Sequence, residues 1–212
     1  MIVSTGAELR LTGPAHGSAV ICVNGGQAAE VEGTWSATLE WLVHRLASRF
    51  PVLRFGEVRY RVKSWRKLDW CIEDARAAIH EVAAPRTLLL GFSMGGAVAA
   101  GCAAEPSVTG VLGLAPWIPD RLSVEPLRGK RLRVLHGSLD RYLPGVPGVS
   151  PTLSRRGFDR ALAIGAAGEY TIVRGGLHGV ALRSPSGSPV PLPRARRFAD
   201  LIEDELALFS RP

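Results

Sequence analysis

The chain has 212 residues, 46% of them hydrophobic and 21% charged, with a formal net charge of +7. That length and balance suit one globular domain with a sizeable core and exclude a disordered chain. The positive charge is scattered and mostly arginine, Lys63, Lys67 and Lys130 being the only lysines, so it reads as a solvated surface rather than a nucleic-acid-binding patch.

Residues 8–12 alternate apolar and polar and predict a first strand. The apolar run 19–23 predicts a strand buried on both faces, closing in Asn24-Gly25-Gly26-Gln27, a loop suited to close backbone approach. Trp35, Leu39, Leu42, Leu46 and Phe50 recur at helical spacing and predict a helix over 34–50, with Thr34 as its N-cap. A strand is expected at 52–55, then a basic stretch from Arg59 to Lys67. The next helix puts Leu68, Ile72, Ala75, Ile79 and Val82 on one face and stops before Pro85.

The strand around Leu88-Leu89-Leu90 enters Gly91-Phe92-Ser93-Met94-Gly95, and an Ala/Gly-rich helix follows. Another apolar strand is predicted at 108–115, stopping at Pro116-Trp117-Ile118-Pro119. The strand at 131–135 runs into His136-Gly137-Ser138-Leu139-Asp140. An irregular loop is expected at 141–151, with Pro144, Pro147 and Pro151, and a helix at 153–167. The last strand, 170–173, ends in Gly175-Gly176-Leu177-His178-Gly179. A Pro/Ser-rich loop, expected to be mobile, covers 184–193. A closing helix over 194–209 buries Phe198, Leu201, Ile202, Leu206 and Phe209. This alternation predicts an α/β fold, a three-layer α/β/α sandwich with a mainly parallel sheet, in a single domain.

Cys22, Cys71 and Cys102 are odd in number and lack C-x-x-C spacing, so reduced, buried thiols in a cytoplasmic protein are expected. No signal peptide and no membrane partner are expected, because no basic segment leads into a long apolar one. No Walker motif or G-x-G-x-x-G is present, and His16, His44 and His80 have no metal-ligand spacing. No cofactor and no metal are therefore expected. Oligomeric state is not readable from these patterns.

In open α/β sheets, ligands bind at the carboxyl ends of the strands. Asn24-Gly25-Gly26, Ser93, Asp140 and His178 all fall at such ends. The G-x-S-x-G turn around Ser93 lifts a hydroxyl above the sheet edge and aims the Met94 N–H at an oxygen bound beside it. A serine hydroxyl needs a base to act as a nucleophile at neutral pH, and a histidine base needs a carboxylate on its other nitrogen. Asp120, which follows the preceding strand, competes with Asp140 for that place. His136 fits a role in shaping the acid loop better than that of the base.

The order Ser93, Asp140, His178 resembles that of the α/β-hydrolase superfamily, with HGSLD similar to its acid loop, GGLHG to its histidine loop and VNGGQ in the place of its HG-type oxyanion loop. The resemblance implies that Ser93 is the nucleophile, His178 the general acid/base and Asp140 its orienter. It also implies an oxyanion hole made by the backbone amides of Met94 and Gly26, with Gln27 as the substitute for Gly26. Asn24 stands where many members have histidine. Only fifteen residues separate Pro116 from Leu132, too few for the helical cap that many members insert there.

The expected activity is cleavage of an ester or thioester of a small acyl substrate. Peptidase or amidase activity and acyl transfer use the same groups, and a non-catalytic ligand-binding homologue is the rival from another class. Trp35, Trp117 and Ile118 are the candidates for the substrate pocket. The stretch from Arg59 to Lys67 either forms a solvated face or holds an anionic substrate group.

Overall fold

The computed structural model describes residues 1–140 and 148–211. In chain order the elements are β1 (Glu8–Thr12), β2 (Ala19–Val23), β3 (Val31–Glu32), α1 (Ala37–Ala47), β4 (Arg54–Arg59), β5 (Val62–Lys63), α2 (Leu68–Val82), β6 (Thr87–Phe92), α3 (Gly95–Cys102) and β7 (Val108–Leu114). They continue as β8 (Arg131–Gly137), α4 (Pro151–Ala163), β9 (Ala167–Val173), β10 (Ala181–Arg183), β11 (Pro189–Pro191) and α5 (Ala195–Phe209). The central sheet has the strand order β1-β4-β2-β6-β7-β8-β9. The β1–β4 pair is antiparallel and the others are parallel.

Both faces of this sheet are covered, which is why β2 and β6 read as continuous apolar runs. Val20, Cys22, Leu88 and Leu90 pack with Leu39 and Leu42 of α1 and Phe198 and Ile202 of α5 on one face. Ile21, Val23 and Leu89 pack with α2, α3 and Phe158 of α4 on the other. The chain leaves β2 toward β4 and returns on the opposite side as β6, so the strand order reverses between β2 and β6. That is where an open α/β sheet leaves a crevice.

Several boundaries differ from the sequence expectation. Ser36, not Thr34, caps α1, its hydroxyl accepting the Leu39 N–H at 3.3 Å. The strand expected at 52–55 lies at Arg54–Arg59 and contains a buried carboxylate, Glu57. Arg10 neutralises it through two hydrogen bonds of 2.9 Å, so the site reads as charged in sequence yet is buried in the sheet. The Pro/Ser-rich segment forms a hairpin instead of a loop, β10 pairing antiparallel with β11, and Ser184 closes its turn by accepting the Ser188 N–H. The fourth helix starts and ends earlier than expected, and β9 begins three residues sooner. The expected loop 141–151, with Pro144 and Pro147, lies outside the described residues up to position 147. Among the described residues no helix is long and apolar enough to cross a membrane.

The tightest crossing is between α3 and the end of β2. A Cβ on Gly95 would overlap the Val23 carbonyl oxygen and come within 2.9 Å of the Asn24 carbonyl oxygen. Those are backbone atoms and cannot swing away. Gly95→Ala is expected to lower stability by about 1–3 kcal/mol in urea unfolding; a change below about 0.5 kcal/mol would contradict so close an approach.

Candidate active site

The turn from β6 into α3 holds Ser93 at φ +56°, a left-handed conformation that a non-glycine residue adopts only when its surroundings compel it. They do so here. The Ser93 N–H donates to the Leu114 carbonyl at 3.0 Å, and the Ser93 carbonyl accepts from Gly96 at 2.9 Å and Trp117 at 2.8 Å. A Cβ on Gly91 would overlap the Gly95 carbonyl oxygen, so the turn needs glycine there too.

The His178 Nε2 lies 3.1 Å from the Ser93 Oγ, and its Nδ1 lies 2.7 Å from Asp140 Oδ2. Asp140 is 1% exposed. Its Oδ1 accepts the Val149 N–H at 3.1 Å, and its Oδ2 also lies 3.2 Å from Nε2 of the fully buried His136. Burial pushes the Asp140 carboxyl upward, but the hydrogen bonds from His136 and His178 outweigh it and hold the group below its ordinary value. Asp120, the competitor, is exposed and pairs with Arg156 at 2.8 Å, away from His178.

The acid and histidine loops are laced to each other. Leu139 N–H donates to the Gly176 carbonyl at 2.9 Å, and Gly175 N–H donates to Ser138 Oγ at 2.9 Å. A Cβ on Gly137 would overlap the Gly176 carbonyl oxygen, which explains a glycine at that strand end. Thr38 of α1 anchors the far side: its hydroxyl accepts from Val180 at 3.2 Å and donates to the Ala181 carbonyl at 3.1 Å. Thr38 carries no local sequence signal, because its partners are more than 140 residues away.

Residues 24–27 lie against the turn. Ideal Cβ atoms show the fit: on Gly25 one would sit 3.2 Å from the Ser93 Cβ, and on Gly26 one would overlap the Met94 thioether. Asn24 braces this loop, its amide donating to the Thr34 carbonyl at 2.9 Å and its side-chain oxygen accepting the Gly25 N–H at 2.7 Å. The Gly25 amide is thereby occupied. Those of Gly26, Gln27 and Met94 carry no hydrogen bond among the described residues.

Ser93 opens onto two cavities. One, of about 290 Å³, is lined by residues 24–27, Trp35, Lys63 and His178. The other, of about 200 Å³, is lined by Trp65, Met94, Trp117, Val149 and Leu153. Trp35 and Trp117 therefore border the site, one on each side. Ile118 does not: it is 2% exposed in the core and packs on Gly157 of α4. Its backbone follows a strand end, but the side chain turns inward. A larger groove of about 760 Å³ runs along α4 and β9 without touching Ser93 or His178.

Other nucleophile and metal candidates are poorly placed. Cys22, Cys71 and Cys102 are buried free thiols, and burial pushes Cys71 and Cys102 up to about 12. Among the described residues no group of three or more His, Cys, Asp or Glu could hold a metal.

The low Asp140 value has a stability consequence. A group whose pKa falls on folding stabilises the folded state above its unfolded value, and that contribution is lost as pH falls through the folded value. Asp140→Asn is expected to unfold at lower urea than wild type at pH 7, by about 2 kcal/mol, and the gap should narrow as acid takes the pH down through the lowered Asp140 value. Equal stability at pH 7, or a gap that persists in acid, would contradict the charged hydrogen bonds.

No protein-family model and no curated protein matches the chain. Solved structures do. Esterase PE8 aligns with a TM-score of 0.68 at 14% identity, over 93% of this chain and 98% of its own. The esterase RhEst1 from Rhodococcus sp. ECU1013 aligns with a TM-score of 0.66 at 15% identity, over 97% of both chains. An alpha-beta serine hydrolase homologue from Coxiella burnetii aligns with a TM-score of 0.63 at 17% identity, over 94% of this chain and 91% of its own. With its mainly parallel sheet, the strand reversal at β2 and β6 and these neighbours, the chain has the α/β-hydrolase fold.

Proposed function

We propose that this chain is a serine hydrolase that cleaves a carboxylic ester or thioester through an acyl-enzyme on Ser93. The observation that carries the reading is the unbroken line of hydrogen bonds from Ser93 Oγ through both nitrogens of His178 to a buried, ionised Asp140. The esterase neighbours are consistent with it.

Asp140 accepts the Nδ1 proton of His178, which leaves Nε2 free to accept. As Ser93 Oγ adds to the substrate carbonyl carbon, its proton passes to Nε2 and the carbonyl π pair moves onto oxygen. The amides of Met94 and Gly26 are assigned to receive that oxyanion, Gln27 being the alternative to Gly26; one such donor is worth about 3 kcal/mol of barrier. The C–O or C–S bond then breaks and the proton on Nε2 goes to the leaving group. Water gives a proton to His178, attacks the acyl carbon and displaces Ser93, which recovers its proton. A small acyl substrate is the assigned partner. The buried free cysteines fit a reducing compartment such as the cytoplasm.

A fluorophosphonate probe is expected to label wild type and not Ser93→Ala. If wild type neither labels nor cleaves short-chain nitrophenyl esters, the reading is wrong. Asp140→Asn is expected to lose about 10⁴-fold in kcat, as in other triads. Asp120→Asn should stay within about threefold, since surface changes away from a site do little. The reverse pattern would move the acid to Asp120.

A further inference from the structure

The stretch from Arg59 to Lys67 contains five basic residues, and four are accounted for. Arg59 pairs with Glu8 and Glu32, Arg61 with Asp74 and Glu73, and Lys67 with Glu30, while Arg66 is exposed. Lys63 differs. It lines the Ser93 cavity of about 290 Å³, and its ammonium donates to Thr34 Oγ1 at 2.8 Å. Among the described residues it meets no carboxylate, and neither 141–147 nor 212 contains an Asp or Glu. Burial lowers its pKa with no acid to offset the effect. A half-buried, uncompensated ammonium is unfavourable unless an anion shares the site. No acidic side chain lines the same cavity.

The two cavities differ in a way that assigns the limbs of a substrate. His178 lines the Lys63 cavity and is absent from the other. A general acid must reach the leaving atom, so the leaving limb belongs beside His178. The acyl chain then enters the cavity of Trp65, Met94, Trp117 and Leu153, which among the described residues has no charged side chain. A cavity of about 290 Å³ lies at the small end of ligand sites. Among the described residues Lys63 is the one Lys or Arg that lines it, which matches a single negative charge.

Resting on the serine-hydrolase reading, we propose that Lys63 is a specificity-determining residue that binds a carboxylate on the leaving limb. The preferred substrates are then apolar acyl esters of small hydroxy acids. Thr34 holds the ammonium at the cavity, where both residues line the wall.

The test is a matched pair of esters, 4-(butanoyloxy)benzoate and its methyl ester, compared as a ratio of kcat/KM after subtracting the Ser93→Ala rate. The wild-type ratio is expected to exceed that of Lys63→Met by about tenfold, a typical gain for a charge-assisted contact, and the difference should sit in KM. Lys63→Arg should keep most of it. The wild-type preference should also shrink as NaCl rises from about 50 mM to about 500 mM, a readout that needs no variant to fold. Equal ratios in wild type and Lys63→Met, or a wild-type ratio indifferent to salt, would overturn the assignment of Lys63 alone. A loss in kcat shared by both esters would mark Lys63 as merely structural and overturn it as well. Absence of Ser93-dependent turnover on either ester would instead overturn the hydrolase reading, and this inference with it.

Discussion

At the end of β6, the central strand of the sheet, the chain turns from strand to helix within three residues, packed between the ends of β2 and β7. A left-handed serine costs on the order of 1–3 kcal/mol. The cost is met by hydrogen bonds to Leu114, Gly96 and Trp117 and by two glycines that let backbone lie on backbone. Much of the site follows from this constraint. Because Ser93 spends its own N–H on Leu114, the next amide, Met94, is the first one left without a partner among the described residues. Because Gly95 touches the end of β2, the loop leaving β2 has to pass over Ser93 and Met94. The Met94 amide thus adjoins Ser93, and Gly25 and Gly26 lie against Ser93 and the Met94 side chain.

The second anchor is the Asp140 carboxylate, which joins three segments while almost completely buried. Its oxygens take the Val149 amide and two imidazoles. His136 Nε2 lies 2.9 Å from the Val149 carbonyl and 3.2 Å from Asp140 Oδ2, and its Nδ1 has no partner among the described residues, an arrangement that suits a proton on Nε2. The contacts from His136 and His178 hold that carboxyl below its ordinary value against the opposing effect of burial. With Nδ1 held by Asp140, His178 is oriented so that its Nε2 lies 3.1 Å from Ser93 Oγ.

The residues legible in sequence were those whose chemistry is local. Gly91, Ser93, Gly95, Asp140 and His178 stand out because unusual residue types fall at the ends of apolar runs, and parallel strands bring those ends to one edge. What stayed hidden depends on partners distant in sequence. Glu57 masked the true extent of β4 because its neutralising Arg10 lies 47 residues away. Thr38 and Asn24, which brace the two loops flanking the serine, look like ordinary polar residues until their partners are in place. Pro189 and Pro191 argued against a strand, yet a short two-stranded edge tolerates them. Ile118 was misplaced because a strand-end position says where the backbone goes and not which way the side chain turns.

The same geometry that aims His178 at Ser93 sets apart a charged cavity and an apolar one, so the chemistry and the selectivity hang on one residue's position. The proposed mechanism places a covalent acyl group on Ser93. Its most direct test is acid quenching of the enzyme during turnover of a short-chain nitrophenyl ester, followed by peptide mapping in a mass spectrometer. One acyl group is expected, on Ser93. Ester turnover with no acyl group there, or with the group on another side chain, would contradict it.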